Sequence, residues 1–357
     1  MSVPSGVTNA LPRTFPGITV SASTQYYVLP EPFRTEQGDS IPVTIAYATY
    51  GTLNAQRTNV IWVCHALTAN AQVADWWPGM VGTGCAFDPD THFMVCANIL
   101  GSCYGTTGPA STDPSGTPYG THFPRLTIRD LVAAHIRLRQ HLGLPSIALL
   151  VGGSMGGYQA LEWALMEPQV PEKLLLLATA AAESAWGIAI HEAQRMAIEA
   201  DPTWTDTGAN TGRAGLMAAR AIGMLTYRNY QSFADAQSEP DPEKTDDFRA
   251  AGYQRYQGQK LADRFDAKSY WTLTKAMDTH NVSRGRGRAL PDVLAQLPQP
   301  TLVIGISSDL LCPMVEQRFL AAHLPAATLV EIDSTYGHDG FLIEVPPITT
   351  ALRKWWR

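Results

Sequence analysis

The chain has 357 residues, a formal net charge of −6, 45% hydrophobic residues and 16% charged ones. That length can bury a large core in one big domain or two unequal ones, and the acidic balance argues against nucleic acid or an anionic membrane as a partner. No apolar stretch approaches the ~20 residues of a bilayer span, and Met1-Ser2-Val3-Pro4-Ser5-Gly6 lacks the basic start and apolar core of a signal peptide.

Taken in chain order, Val43–Tyr50, Val60–Cys64 and Phe93–Ala97 read as strands, and Ile128–Leu142 as a helix ended by Gly143 and Pro145. The apolar run Ile147–Val151 then leads through Gly152-Gly153-Ser154-Met155-Gly156 into a helix-like run, Tyr158–Leu165. A serine between a buried strand and a helix, with glycines two before and two after, is a nucleophile elbow. The turn is so sharp that a side chain at either glycine collides with the neighbouring strand or helix. The hydroxyl of Ser154 is thereby held above the sheet, with the helix N-terminus and the Met155 amide beneath it to stabilise an oxyanion. A second amide belongs to His65-Ala66-Leu67-Thr68, the loop after the Val60–Cys64 strand, and Leu67 is the candidate. Only its backbone N–H is required.

Strands spaced by helices predict a mostly parallel sheet, wound on both faces. From residue 183 to residue 296 the pattern changes to amphipathic helical stretches, among them Ala189–Glu199, Gly215–Leu225 and Asp246–Ala262. The expected organisation is therefore a core of residues 1–182 and 297–357, interrupted by a helical lid. After Pro298 and Pro300 the alternation resumes. Thr301–Ile306 ends just before Ser307-Ser308-Asp309, and Ala327–Ile332 is followed by Tyr336-Gly337-His338-Asp339. Serine, acid and histidine then follow one another in the chain order of an α/β-hydrolase fold, on loops at the carboxyl ends of strands. His338 takes the proton of Ser154, and Asp309 fixes its tautomer and offsets the imidazolium charge. Asp333 sits too close to its own strand end, Asp339 is adjacent to the histidine, and His65 precedes the serine. The five cysteines are odd in number and show neither CxxC nor zinc spacing. They read as free thiols in a reducing cytoplasm, with no metal expected; Cys103 lacks the elbow that a nucleophile needs.

Several blocks together resemble the homoserine O-acyltransferases: His65–Thr68, Trp76-Trp77, Gly101–Pro109, Phe123-Pro124-Arg125, Gly152–Gly157, Ala219-Arg220 with Leu225-Thr226-Tyr227, Arg264–Ala267 and Gly337–Asp339. The resemblance runs from about Thr44 to Leu342. It implies an α/β-hydrolase fold with a helical lid and a ping-pong, acyl-serine transfer from acyl-CoA to the hydroxyl of homoserine, a step of methionine synthesis. Acetyl-CoA is then a co-substrate, with no bound cofactor, and a homodimer is expected. By position, Ser154, Asp309 and His338 form the triad, and Leu67 and Met155 the oxyanion hole. The same likeness implies that Arg220 clamps the acceptor's carboxylate, a task suited to a planar guanidinium, and that Asp339 holds its ammonium group. Tyr227, two helical turns beyond Arg220, faces the same cleft. The residues alone leave Arg220 open as a surface side chain, Tyr227 as lid core and Asp339 as the cap of a helix starting at Gly340.

The chain also departs from many bacterial members. Ala69 stands where they carry glycine, Asn70–Gly84 is short around Trp76-Trp77-Pro78, and Gly101-Ser102-Cys103 replaces a Gly-Gly-Cys version. Fungal-type homoserine acetyltransferases and deacetylcephalosporin C acetyltransferase share the short Trp-Trp arrangement. Acetyl transfer to homoserine is the first reading. A succinyl donor, serine or another alcohol as acceptor, and a plain esterase or thioesterase are the alternatives.

Overall fold

The computed structural model describes residues 23–208 and 210–356. The Met1–Gly6 stretch read above for targeting lies outside them. The strands are β1 Gln25–Val28, β2 Phe33–Arg34, β3 Ser40–Ile41, β4 Thr44–Tyr50, β5 Val60–Cys64, β6 Phe93–Ala97, β7 Leu149–Gly153, β8 Leu174–Leu177, β9 Thr301–Ile306 and β10 Ala327–Ile332. Eight form one sheet in the order β1-β4-β6-β5-β7-β8-β9-β10. From β6 to β10 every neighbouring pair is parallel, and β4 and β1 add an antiparallel edge. β2 and β3 pair separately as a short hairpin.

Alternation along each strand supplies both faces of the sheet. Val60, Trp62 and Cys64 of β5 join one apolar cluster, and Ile61 and Val63 join the other. The first cluster is closed by helices α2 (Ile128–His141) and α3 (Met155–Met166), with Trp62 packed edge-on against Trp163 at 5.0 Å between ring centroids. The second is closed by the short helix α1 (Val73–Trp76), by Trp77 and Phe341, and by the C-terminal helix α12 (Val345–Trp355). Helix α2 begins with a full capping box. Thr127 Oγ1 accepts from the Asp130 amide and Asp130 Oδ2 accepts from the Thr127 amide at 2.9 Å, an arrangement that contributes about 1 kcal/mol.

Between β8 and β9 run α4 (Ala185–Glu199), α5 (Arg213–Tyr227), α6 (Tyr230–Gln237), α7 (Arg249–Ala262), α8 (Ala267–Asp278) and α9 (Leu290–Leu294). Helix α5 packs between α4 and α7 and touches the Gly337–Asp339 turn. After β9 come α10 (Met314–His323) and the single turn α11 (Gly340–Ile343).

The structure adds β1, β2, β3 and α1, which the sequence reading does not place, and it differs further in the central strands. The strand placed at Ile147–Val151 lies at Leu149–Gly153, because Gly152 and Gly153 stay in the ladder opposite Leu176 and Leu177. Strand β8 has no counterpart in that reading: four consecutive leucines carry no period, and leucine favours helix as readily as strand.

Candidate active site

Sheet and glycines together fix the position of Ser154. It follows the last residue of β7 and takes φ 54° and ψ −127° at the start of α3, a conformation that a non-glycine residue holds only under constraint. A Cβ on Gly152 would lie 2.1 Å from the Gly156 carbonyl oxygen of α3. One on Gly156 would lie 2.1 Å from the carbonyl oxygen of Cys64 at the end of β5. The helix can enter this close to the strands only because both side chains are missing.

Ser154, His338 and Asp309 are all buried. His338 Nε2 lies 2.8 Å from Ser154 Oγ, and His338 Nδ1 lies 2.7 Å from Asp309 Oδ2. Asp309 Oδ1 accepts from the amides of Leu311 and Cys312 at 2.8 and 2.9 Å, so the carboxylate cannot turn away. The β9 and β10 loops are tied to each other by Ser308, whose hydroxyl donates to Ser334 O at 2.5 Å and accepts from the Gly337 amide at 3.0 Å. The imidazole itself stands between Tyr227, with centroids 6.0 Å apart, and Phe341, at 5.4 Å. Burial opposes its protonated form, but the Asp309 carboxylate, with Asp339 and Glu183 beyond it, outweighs burial and holds the His338 pKa above its ordinary value. Asp333 instead accepts from Ser307 Oγ at 2.9 Å, away from the histidine.

The relay opens onto a cavity of about 320 Å³. Leu67, Arg220, Tyr227 and Asp339 line it together with Ser154 and His338. Six of the sequence-predicted residues are thus brought to one place, from three loops and helix α5. Among the described residues the Leu67 and Met155 amides donate to no protein acceptor. The Arg220 guanidinium lies 5.1 Å from the Tyr227 ring, has a buried Nε without a partner, and pairs with no carboxylate among the described residues. Asp339 occupies the N-cap position of α11 but makes no side-chain cap; its carboxylate meets Arg228 at 3.4 Å. The helix-cap alternative is therefore set aside.

Other wall residues had no role in the sequence reading. Arg264, known there only as part of a family block, donates to Thr68 O at 2.7 Å and to the Tyr104 hydroxyl at 2.6 Å, linking the α7–α8 connection to the loop that carries Leu67. His191 Nδ1 meets Asp278 Oδ1 at 2.9 Å, and Asp278 also holds Arg195 at 2.6 Å. Sequence spacing gives no sign of such pairs across helices. Burial pushes the Cys103 thiol up, away from nucleophilic thiolate. Cys312 Sγ lies within 4.8 Å of donor atoms of both Asp309 and His338. A soft cation could use these three only by breaking the 2.7 Å bond between the other two.

Comparison with known proteins follows the same lines. The alpha/beta hydrolase fold family matches residues 59–345. The homoserine O-acetyltransferase of Cyclobacterium marinum is 45% identical over 343 residues, covering 96% of this chain and 97% of its own. The chain belongs to the homoserine O-acetyltransferase family. Among solved structures, the homoserine O-acetyltransferase from Bacillus anthracis superposes with a TM-score of 0.88 at 24% identity, over 93% of this chain and 96% of that one, a likeness of fold. An esterase superposes with a TM-score of 0.85 at 25% identity, over 94% of this chain and 99% of its own. The family's fold therefore also occurs in a protein named for hydrolysis.

Proposed function

We propose that this chain moves an acetyl group from acetyl-CoA to the side-chain hydroxyl of L-homoserine through an acetyl-Ser154 intermediate, with Ser154, His338 and Asp309 as the catalytic triad. The observation that carries this reading is a guanidinium, Arg220, that pairs with no carboxylate among the described residues and stands in the wall of the cavity onto which the relay opens. A hydrolase has no need of a carboxylate clamp, whereas an amino-acid acceptor does. The near full-length identity to a homoserine O-acetyltransferase supports the choice of donor and acceptor.

In the first half-reaction His338 Nε2, 2.8 Å from Ser154 Oγ, takes the serine proton as Oγ attacks the thioester carbonyl. The Leu67 and Met155 amides receive the developing oxyanion. The C–S bond breaks, and the departing coenzyme A sulfur takes the proton from His338. In the second, the homoserine hydroxyl gives its proton to His338 and attacks the acyl carbonyl. The bond to Ser154 breaks, and Oγ recovers the proton. Asp309 holds the imidazole in the productive tautomer throughout.

Transfer beats hydrolysis when the acceptor is better placed than water. The 183–296 helices act as a lid that limits water, and the acceptor's two charged ends are held away from its reacting hydroxyl. Arg220 takes the carboxylate, Asp339 the ammonium, and Tyr227 forms the wall between them and His338. Exposed apolar side chains of the lid, such as Trp186, Met196 and Leu225, support a homodimer, and a cytoplasmic setting completes the reading.

Release of coenzyme A from acetyl-CoA tests the proposal. Without acceptor, one equivalent is expected per site, with acetyl found on Ser154; with homoserine, release continues and O-acetylhomoserine accumulates. Steady release indifferent to homoserine would instead favour the esterase reading that the structural neighbour suggests. A panel of homoserine and serine against acetyl- and succinyl-CoA settles donor and acceptor in the same assay.

A further inference from the structure

A peptide N–H donates more strongly when the carbonyl of the same peptide unit is itself accepting a hydrogen bond, because the two ends polarise each other. The Leu67 N–H shares its peptide with the Ala66 carbonyl, and the Met155 N–H shares its peptide with the Ser154 carbonyl. Buried side chains engage both carbonyls. His65 Nδ1 lies 2.8 Å from Ala66 O, and Thr179 Oγ1 donates to Ser154 O at 2.9 Å.

The roles of the two histidine nitrogens are set by geometry. The Ile99 amide donates to His65 Nε2 at 3.1 Å, so Nε2 keeps the lone pair and Nδ1 carries the proton given to Ala66 O. Burial lowers the His65 pKa to about 4, which keeps the ring neutral near neutral pH. Room for the Thr179 hydroxyl comes from Gly157, where a Cβ would lie 2.3 Å from Thr179 Oγ1. The two sides are also joined. Gln159 Nε2 donates to His65 O at 3.2 Å and to Met155 O at 3.3 Å. All three side chains are fully buried at the end of the sheet beneath Ser154.

We infer that His65 and Thr179 are positioning residues of the oxyanion hole, each holding and polarising one of the two peptide units whose N–H groups receive the negative oxygen. Neither touches substrate. They act through the Leu67 and Met155 amides, so the inference rests on the acyl-serine mechanism proposed above.

The test compares paired substitutions. His65→Asn keeps a donor near the Nδ1 position, whereas His65→Gln keeps a polar atom near Nε2 and loses that donor. Thr179→Ser keeps the hydroxyl and Thr179→Val removes it. Each variant is assayed for kcat and for KM of homoserine. Its acetyl-Ser154 form, made with carbonyl-labelled acetyl-CoA, is examined by infrared difference spectroscopy. Loss of a complete oxyanion donor lowers kcat by roughly 10²–10³-fold, so weakening one should lower it about tenfold. The expected result is that fall in His65→Gln and Thr179→Val, with KM unchanged and the acyl carbonyl band moved toward the frequency of a free ester. His65→Asn and Thr179→Ser should stay near the parent enzyme. Equal losses within a pair, or an unmoved band in folded variants, overturn the inference. If His65→Gln does not fold, the Thr179 pair decides. Absence of any acetyl adduct on Ser154 in the unsubstituted protein indicts the mechanism instead, which keeps the two failures apart.

Discussion

At the proposed reacting end of the site Ser154, His338 and Asp309 already hold one another at 2.8 and 2.7 Å. At the proposed recognition end Arg220 pairs with no carboxylate among the described residues, and Asp339 meets Arg228 at 3.4 Å, a partner that an ammonium taken up there would displace. The reacting end is built where backbone meets backbone at Gly152 and Gly156. The recognition end is built on one helix, α5, and on the Gly337–Asp339 turn, away from those backbone contacts. On the proposed reading, chemistry is organised before substrate arrives, whereas recognition is completed by it. This difference predicts that substitutions at the first end will show in kcat and those at the second in KM.

The largest effect should come from Ser154→Ala. Acyl transfer is expected to fall by at least about 10⁴-fold, since the remaining triad members lose their function with the nucleophile. A residual rate near that of the parent, measured by coenzyme A release, would dissolve the comparison at its root.

Asp309→Asn comes next, with kcat reduced by up to about 10⁴-fold because the amide favours the wrong tautomer of His338. It should also move the pH profile. His338 must be neutral to act as base, so the parent's kcat should rise with pH through a pKa above that of a free histidine. Without the carboxylate, burial wins and the midpoint should move down. Stability runs the opposite way. A histidine whose folded pKa exceeds its unfolded one contributes stability below the unfolded value, near 6.5, and loses it as pH rises through the folded one. Thermal unfolding across that window, compared between the parent and His338→Gln, measures the contribution.

At the recognition end Arg220→Lys should raise KM for homoserine by roughly 10- to 100-fold, the range of a charge-assisted, two-oxygen contact. The yield of acetyl-Ser154 without acceptor should be unchanged. A loss of acylation itself would show that Arg220 serves the reacting end. The smallest effect is expected for Arg228→Ala, which frees Asp339. The Arg228–Asp339 pair is partly exposed, so KM for homoserine should fall by no more than about fivefold. A rise in KM would mean that Arg228 holds Asp339 in place rather than competing for it.

The reacting end was far more legible in the sequence than the recognition end. Elbow glycines, strand ends and the order of serine, acid and histidine are local signals, and each follows from backbone sterics or from the edge of a parallel sheet. They led to Ser154, Asp309 and His338 and to the amide at Leu67. The Arg228–Asp339 pair joins a helix end to a loop more than a hundred residues away, and no spacing rule connects them. His65 is set aside as the base because it precedes the serine in the chain. That argument concerns proton transfer from Ser154 and does not bear on a histidine that faces a peptide carbonyl. Leu174–Leu177 escaped because a fully buried central strand loses the alternation by which half-buried strands are recognised.

The backbone torsions of Ser154, φ 54° and ψ −127°, carry a consequence of their own. Such a conformation costs about 1–3 kcal/mol for a residue with a Cβ, and glycine there would give back roughly 0.5–1 kcal/mol through its freer unfolded chain. Ser154→Gly should therefore yield a dead enzyme that melts slightly later than the living one. A protein library selected for heat resistance alone, without selection for turnover, would have no reason to keep its nucleophile.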